Sequence, residues 1–425
     1  MAKNPKNTTV KFILLSIVAV AAFWWGMPKP TEPKPGESDI ATAARGTALS
    51  VMGEAPDWSE LDAYQNSITR SHFEHLLSSI YTARDGWREW IAISERKAQI
   101  ITREATYDLV FADADRVLPS ARYWKYANEL GPAPVARPLE GAHVAIDAGH
   151  LGGKWAKMEA RWLVVNGNPP ICEGDMTLQV AFLMKSRLES LGAKVSLVRD
   201  NAEPMTSIRP EKLMDLARET YPKDEYRAAR LAERWFYRTA EIRSRANKVN
   251  NEIKPDLVLA LHFNAEAWGD PSNPTLIDHS HVHMLVHGGY GDDELALEDH
   301  RHSMLLKLLS RGHAEEAAIG KAMMEAFSEV TSHPPFNYSQ ENKYVCNVPQ
   351  ADGVWARNLL ANRLYDCPVV YLEPYLMNSK VDYPRMLAGE YVGLREVDGK
   401  IQPSIFHEYA EAAVSGLVRH YVADR

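Results

Sequence analysis

From residue 143 onward, short apolar runs alternate with longer amphipathic stretches. His143-Val-Ala-Ile-Asp147, Lys194-Val-Ser-Leu-Val198, Leu257-Val-Leu-Ala-Leu261, Val282 to Val286 and Val369-Val-Tyr-Leu372 read as strands, being short, apolar and rich in β-branched residues. Asp175 to Leu191 reads as a helix, with Leu178, Ala181, Phe182, Leu188 and Leu191 on one face and Gly192 at its C-terminal end. Strands without a polar face, alternating with helices, predict an α/β domain over 141–425, with a largely parallel sheet covered by helices on both faces. Sites in open sheets of this kind lie beyond the carboxyl ends of the strands.

Before this domain the pattern differs. Ser71-His-Phe-Glu74 resembles a capping box, after which Phe73, Leu76, Leu77 and Ile80 recur at helical spacing. Trp90 to Ser94, Ala98 to Thr102 and Tyr107 to Phe111 read as three strands, so a small α+β domain over 41–130 is expected, of structural or partner-binding use. Gly131-Pro-Ala-Pro-Val-Ala-Arg-Pro138 breaks the chain between the two domains.

The amino terminus carries an address. Lys3, Lys6 and Lys11 precede an apolar run from Phe12 to Met27, roughly 24 Å long as a helix. Charge on that side keeps it cytoplasmic and sends the rest of the chain across the membrane. Trp24 and Trp25 at the outer end favour an uncleaved signal-anchor over residues 11–27, in preference to cleavage near Ala19-Val20-Ala21. A Pro-rich spacer follows over 28–40. The expected location is extracytoplasmic, in the periplasm or cell wall and tethered to the cytoplasmic membrane.

Composition narrows the classes. The chain has 425 residues, is 45% hydrophobic and 24% charged, and carries a net charge of -8. A mildly acidic chain without a basic tract is not built to neutralise phosphates, so nucleic acid is excluded as a partner. Three cysteines, Cys172, Cys346 and Cys367, allow at most one disulfide, for which Cys346 and Cys367 are the candidates, and they lack the spacing of a Cys-rich zinc site.

The strand ends carry the candidate chemistry. His150 follows the first strand in Asp147-Ala-Gly-His-Leu-Gly-Gly153, His262 closes a later one in Leu261-His-Phe-Asn-Ala265, and Glu373 closes another in Tyr371-Leu-Glu-Pro-Tyr375. Glu173 stands just before the 175–191 helix and faces the same edge. Two imidazoles and a carboxylate, with a position left for water, form the usual ligand set of a catalytic zinc.

Residues 141 to about 395 resemble the zinc-dependent N-acetylmuramoyl-L-alanine amidase family, which includes sporulation and cell-division amidases. Asp147 to Gly153 is similar to its Asp-Pro-Gly-His-Gly-Gly motif and Glu173 to Leu178 to its Glu-x-x-x-Asn-Leu pattern. Gly192 to Asp200 is similar to Gly-Ala-x-Val-x-Leu-x-Arg-Asp, and Arg245 to Asn247 to Arg-x-Ala-Asn. Asp256 to Ala265 is similar to Ala-Asp followed by Ser-Ile-His-x-Asn-Ala, and Pro368 to Asn378 to the closing Glu-containing element. The resemblance implies Zn2+ on His150, Glu173 and His262, with Glu373 as general base and acid. It also implies hydrolysis of the amide joining N-acetylmuramic acid to L-alanine in peptidoglycan.

Departures are visible. Ala148 replaces a proline, Leu151 a glycine, and Pro374-Tyr375 a Gly-Phe. Extra length between His150 and Glu173 brings Trp155, Trp162 and Pro169-Pro170, read as lining for a glycan groove. A helical insertion over 210–239 separates Asp200 from the Arg245 motif; in some relatives a helix blocks the zinc until an activator protein removes it, so the resemblance raises autoinhibition by this insertion as an expectation. His279, His281, His283 and His287 alternate along a strand, with His300, His302 and His313 beyond; the reading preferred here is a solvated face rather than a second metal site. Arg357 and Asn358 are read as structural rather than substrate-binding. Two other functions stand beside the amidase: a different zinc amidase or peptidase, and a murein-binding protein without activity.

Overall fold

The structure is a computed structural model that describes residues 48–270 and 272–425. The apolar run, the Pro-rich spacer and the start of the 41–130 segment lie outside the described residues. Among the described residues no helix is long and apolar enough to cross a membrane.

The chain runs through β1 (His143–Ala148), α1 (Glu173–Ser190), β2 (Lys194–Leu197), α2 (Pro210–Thr220), α3 (Glu225–Arg234), α4 (Glu241–Asn247) and β3 (Leu257–Leu261). It continues through β4 (His283–Val286), α5 (Gly312–Thr331), β5 (Val345–Asn347), β6 (Val354–Arg357), β7 (Val369–Glu373) and α6 (Ile405–Asp424). The seven strands form one sheet in the order β5-β6-β4-β7-β3-β1-β2. Pairings β6/β4, β7/β3, β3/β1 and β1/β2 are parallel, whereas β5/β6 and β4/β7 are antiparallel. The sheet is therefore mixed: its parallel half carries the predicted strand ends, and β4 runs against β7.

Alternate residues of the strands enter two cores. Val144, Ile146, Leu259, Leu261, Met284 and Leu372 belong to one, shared with Met184 of α1, Phe327 of α5 and Tyr409 of α6. Ala145, Val258, Ala260, Leu285 and Tyr371 belong to the other, shared with Ala246 of α4, Val249 and Tyr365. Side chains on both faces are thus removed from water, which is why these strands read as unbroken apolar runs.

The N-terminal segment holds a three-stranded antiparallel sheet, Ile91–Ile93, Lys97–Ile101 and Thr106–Val110. Its helix Arg70–Leu76 is capped by Thr69, whose side chain accepts from the His72 N–H, not by Ser71. Leu61, Phe73 and Leu109 of this segment share the first core. Trp58 Nε1 and the Arg103 N–H both donate to Glu298 Oε1, at 3.0 and 2.9 Å.

Two further expectations change. The buried stripe of α1 is Met176, Thr177, Val180, Ala181, Met184 and Leu188, while Phe182 is exposed. The polar Thr177 lies on the inner face because its hydroxyl donates to the Gly149 carbonyl at 2.8 Å. Cys346 and Cys367 do not pair; all three thiols are free, and burial raises each to about 12.

The histidines set a pH dependence. Burial holds His143, His281 and His313 at about 4 and pushes His283, His287 and His300 well below the usual imidazole value. Their folded values lie below their unfolded ones, so the unfolded chain binds extra protons as the pH drops through about 6.5 toward 4, and stability falls through that window. The urea midpoint of the metal-free chain is expected to fall between about pH 7 and pH 5, and to fall less steeply in His313→Gln. Identical midpoints at both pH values would contradict this.

Candidate metal centre

Strand register assembles the site. Ala148 pairs with Leu261, and Leu261 with Leu372. One residue further on, Gly149, His262 and Glu373 form a row, and Glu373 pairs across β4 with His283. The Gly149 N–H donates to the Leu261 carbonyl and the His262 N–H to the Leu372 carbonyl, each at 2.9 Å, carrying the ladder into this row. Glycine is required beside His262: a Cβ at Gly149 would lie 2.6 Å from His262 Nε2 and collide with the Leu261 carbonyl.

His150 sits next on the chain with φ +60°, a left-handed conformation that costs a non-glycine residue on the order of 1 kcal/mol. Two arginines hold it there. Arg245 donates to the carbonyls of Ala148 and His150 at 2.9 and 3.0 Å, and Arg199 Nε donates to the Ala148 carbonyl at 2.6 Å. Arg245 also bonds Asp147 Oδ1 and Glu241 Oε1, both at 2.9 Å. Burial draws its pKa down, but Asp147 and Glu241 override this and hold it above the usual value.

Glu173, the first residue of α1, joins the two imidazoles. Its Oε2 lies 3.4 Å from His150 Nε2, and its Oε1 lies 3.1 Å from His262 Nδ1 and accepts the Phe263 N–H at 3.1 Å. The imidazole planes stand at 89° with centroids 4.9 Å apart, and the His262 ring stacks on Tyr371. One donor atom from each of His150, Glu173 and His262 falls within 4.8 Å of the others. Two nitrogens and one carboxylate oxygen at this spacing fit a zinc-class divalent ion once Arg161 Nε, 2.9 Å from Glu173 Oε2, turns away.

Protonation suits that use. Burial drives His150 well below the usual imidazole value, with Arg161 adding to the effect and Glu173 opposing it, so the ring is neutral. Burial would push Glu173 up, but the imidazoles and Arg161 override it and hold the carboxyl at about 2. Nδ1 of His150 lies 3.0 Å from Glu159 Oε2, and Nε2 accepts from Arg161 Nε at 3.2 Å. The proton therefore belongs on Nδ1, which leaves the Nε2 lone pair to accept from Arg161 and free to ligate when Arg161 turns away.

Glu373 is 0% exposed, and neither carboxylate oxygen has a hydrogen-bond partner among the described residues. Burial, reinforced by the Glu173 charge, raises it well above the usual carboxyl range, with Arg161 and Arg357 opposing. A buried, unbonded carboxylate beside a metal-competent trio is arranged to exchange a proton.

The structure thus brings together all four residues singled out in the sequence. It adds two that were missed, Glu159 and Arg161, whose Nε lies 2.9 Å from Glu173 Oε2. Both lie in the extra segment, where no pattern marks them. Trp155 of that segment is half-buried, packs on Phe236 and donates to Glu203 Oε2. The insertion, α2 with α3, forms a third apolar cluster with Leu151, so it lies directly behind His150. The histidine strand is not a solvated face, since His281 and His283 are buried against Phe336, and His287 is buried against Tyr81 and Tyr290. Arg357 donates to the Tyr338 hydroxyl, and Asn358 accepts from Arg363.

No protein-family model matches the chain. No curated protein matches it. Solved structures similar to it include the CwlD amidase from Clostridioides difficile in complex with the GerS lipoprotein, at 15% identity over 67% of this chain and 100% of that one, TM-score 0.37. The N-acetylmuramyl-L-alanine amidase Ami1 from Mycobacterium smegmatis is similar at 17% identity over 67% of this chain and 99% of that one, TM-score 0.37. The catalytic domain of CwlV, an N-acetylmuramoyl-L-alanine amidase from Bacillus (Paenibacillus) polymyxa var. colistinus, is similar at 13% identity over 67% and 99%, TM-score 0.36.

The geometry makes two substitutions diagnostic. Gly149→Ala is expected to weaken zinc binding, and Glu159→Gln to weaken it by about 10- to 100-fold, with circular dichroism unchanged. Calorimetric titration of the chelator-stripped chain measures both; wild-type affinity in Gly149→Ala would mean that the ion does not bind at this edge.

Proposed function

We propose that this chain belongs to the zinc-dependent N-acetylmuramoyl-L-alanine amidases and hydrolyses the amide between N-acetylmuramic acid and L-alanine in peptidoglycan. The observation that carries the hydrolase reading is Glu373, buried and unbonded, in one row with His262 and beside His150 and Glu173. The substrate class rests on the ordered motifs from Asp147 to Asn378.

In this reading His150, Glu173 and His262 hold the zinc. Bound zinc lowers the pKa of water toward about 7 and polarises a carbonyl. Glu159 keeps the His150 proton on Nδ1, so that Nε2 serves as ligand. Glu373 accepts the proton of the attacking water and returns it to the nitrogen of L-alanine as the C–N bond breaks, leaving a carboxyl group on the muramic acid. Proton transfer of this kind contributes about 10²- to 10⁴-fold in rate. An extracytoplasmic location, with residues 11–27 as membrane anchor, and an activator protein as partner belong to the same proposal.

Incubating the soluble part with peptidoglycan and weighing the products tests it. Free stem peptides beginning with L-alanine are expected, and are lost with chelator. Glu373→Gln is expected to keep its zinc while losing about 10²-fold or more in rate. Cuts inside the peptide would instead make the chain a zinc peptidase, and zinc binding with no product would make it a murein-binding protein.

A further inference from the structure

A second group of metal-competent side chains stands past the end of β3, apart from the first. Glu266, His279 and His281 each offer a donor atom, and the three atoms lie within 4.8 Å of one another. His279 Nε2 is 3.0 Å and His281 Nδ1 3.7 Å from Glu266 Oε1. We propose that Glu266, His279 and His281 form a second binding site for a zinc-class divalent cation.

The site is built rather than accidental. Asn378 fixes Glu266 from both sides, its Oδ1 accepting the Glu266 N–H at 3.0 Å and its Nδ2 donating to the Glu266 carbonyl at 3.1 Å. His281 is buried against the Phe336 ring, with centroids 4.5 Å apart, and its Nε2 faces the side-chain amide of Asn264 at 3.3 Å. The Asn264 amide donates to that nitrogen while its own Oδ1 accepts the Ala265 N–H at 2.7 Å, so ligation through Nδ1 moves the ring proton to Nε2 and turns this amide away. His279 is exposed, so an ion can enter from solvent.

A simple ion-pair cluster accounts for the trio less well. His281 Nδ1 stands 3.7 Å from Glu266 Oε1, beyond hydrogen-bond reach, so direct pairing with the carboxylate does not account for the burial of this ring. Two imidazoles and one carboxylate select borderline divalent ions such as zinc over calcium or magnesium, which prefer oxygen ligands. Glu266 lies four residues beyond His262, whereas His279 and His281 lead into β4. Their shared ion would join the two ends of the intervening segment.

The two sites share no residue, so they can be tested separately and without any substrate. Equilibrium dialysis of the full chain against zinc, with metal analysis, is expected to give two ions per chain. His279→Ala and Glu266→Gln are each expected to reduce this to one while leaving the first site's affinity unchanged. His150→Ala is expected to retain one ion, and that ion should be lost in the His150→Ala, His279→Ala double variant. Uptake of one ion by the wild type, or a second ion unaffected by both His279→Ala and Glu266→Gln, would overturn the proposal. Failure of the amidase assay would not bear on it.

Discussion

Arg245 is buried, and its guanidinium bonds Asp147, Glu241 and the carbonyls of Ala148 and His150. Removing one partner of a buried ion pair costs about 3–5 kcal/mol, because the remaining charge is left uncompensated. Asp147 is further held by the Tyr365 hydroxyl, so the network ties β1 to α4 and to the segment before β7. Its effect is local and geometric. The chain leaves β1 in the one turn that lets Gly149 pass close to the His262 ring and swings His150 back toward Glu173. Arg199, drawn down to about 10 by burial and by the nearby Arg245, supports the carbonyls of Ala148 and Gly149 from the β2 side.

On this rigid edge the charges are graded. His150 is neutral, Glu173 is ionised, and Glu373 is pushed toward its protonated form by burial and by Glu173. The like-charge push on Glu373 is coupled to the ligand set: a cation on Glu173 would relieve it. The base and the metal ligands are therefore one electrostatic unit, and the row Gly149, His262, Glu373 set by strand register is what couples them.

The strands of the sheet were legible because both faces are covered, which leaves apolar runs with no polar alternation. His150, His262 and Glu373 were legible because each follows such a run, and Glu173 because it opens a helix. Strand direction was not legible, since nothing in His283-Met-Leu-Val286 differs between a parallel and an antiparallel neighbour. The inner face of α1 was misread because it carries Glu173 and Thr177, polar groups that serve the site and interrupt the apolar stripe. Buried histidines in β4 looked like a wet face because alternation of polar residues does not reveal what lies above them. Glu159, Arg161 and Glu266 act across turns and extended segments, where spacing carries no signal.

Arg161 Nε is 2.9 Å from Glu173 and 3.2 Å from His150 Nε2, so an ion held by those atoms must displace it. Anomalous diffraction at the zinc edge, on crystals grown with zinc, tests the account most directly. An ion bonded to His150, Glu173 and His262 is expected, with Arg161 turned away and Glu373 facing the fourth position. Full zinc occupancy elsewhere in the chain, with Arg161 still bonded to Glu173 and His150, would contradict it.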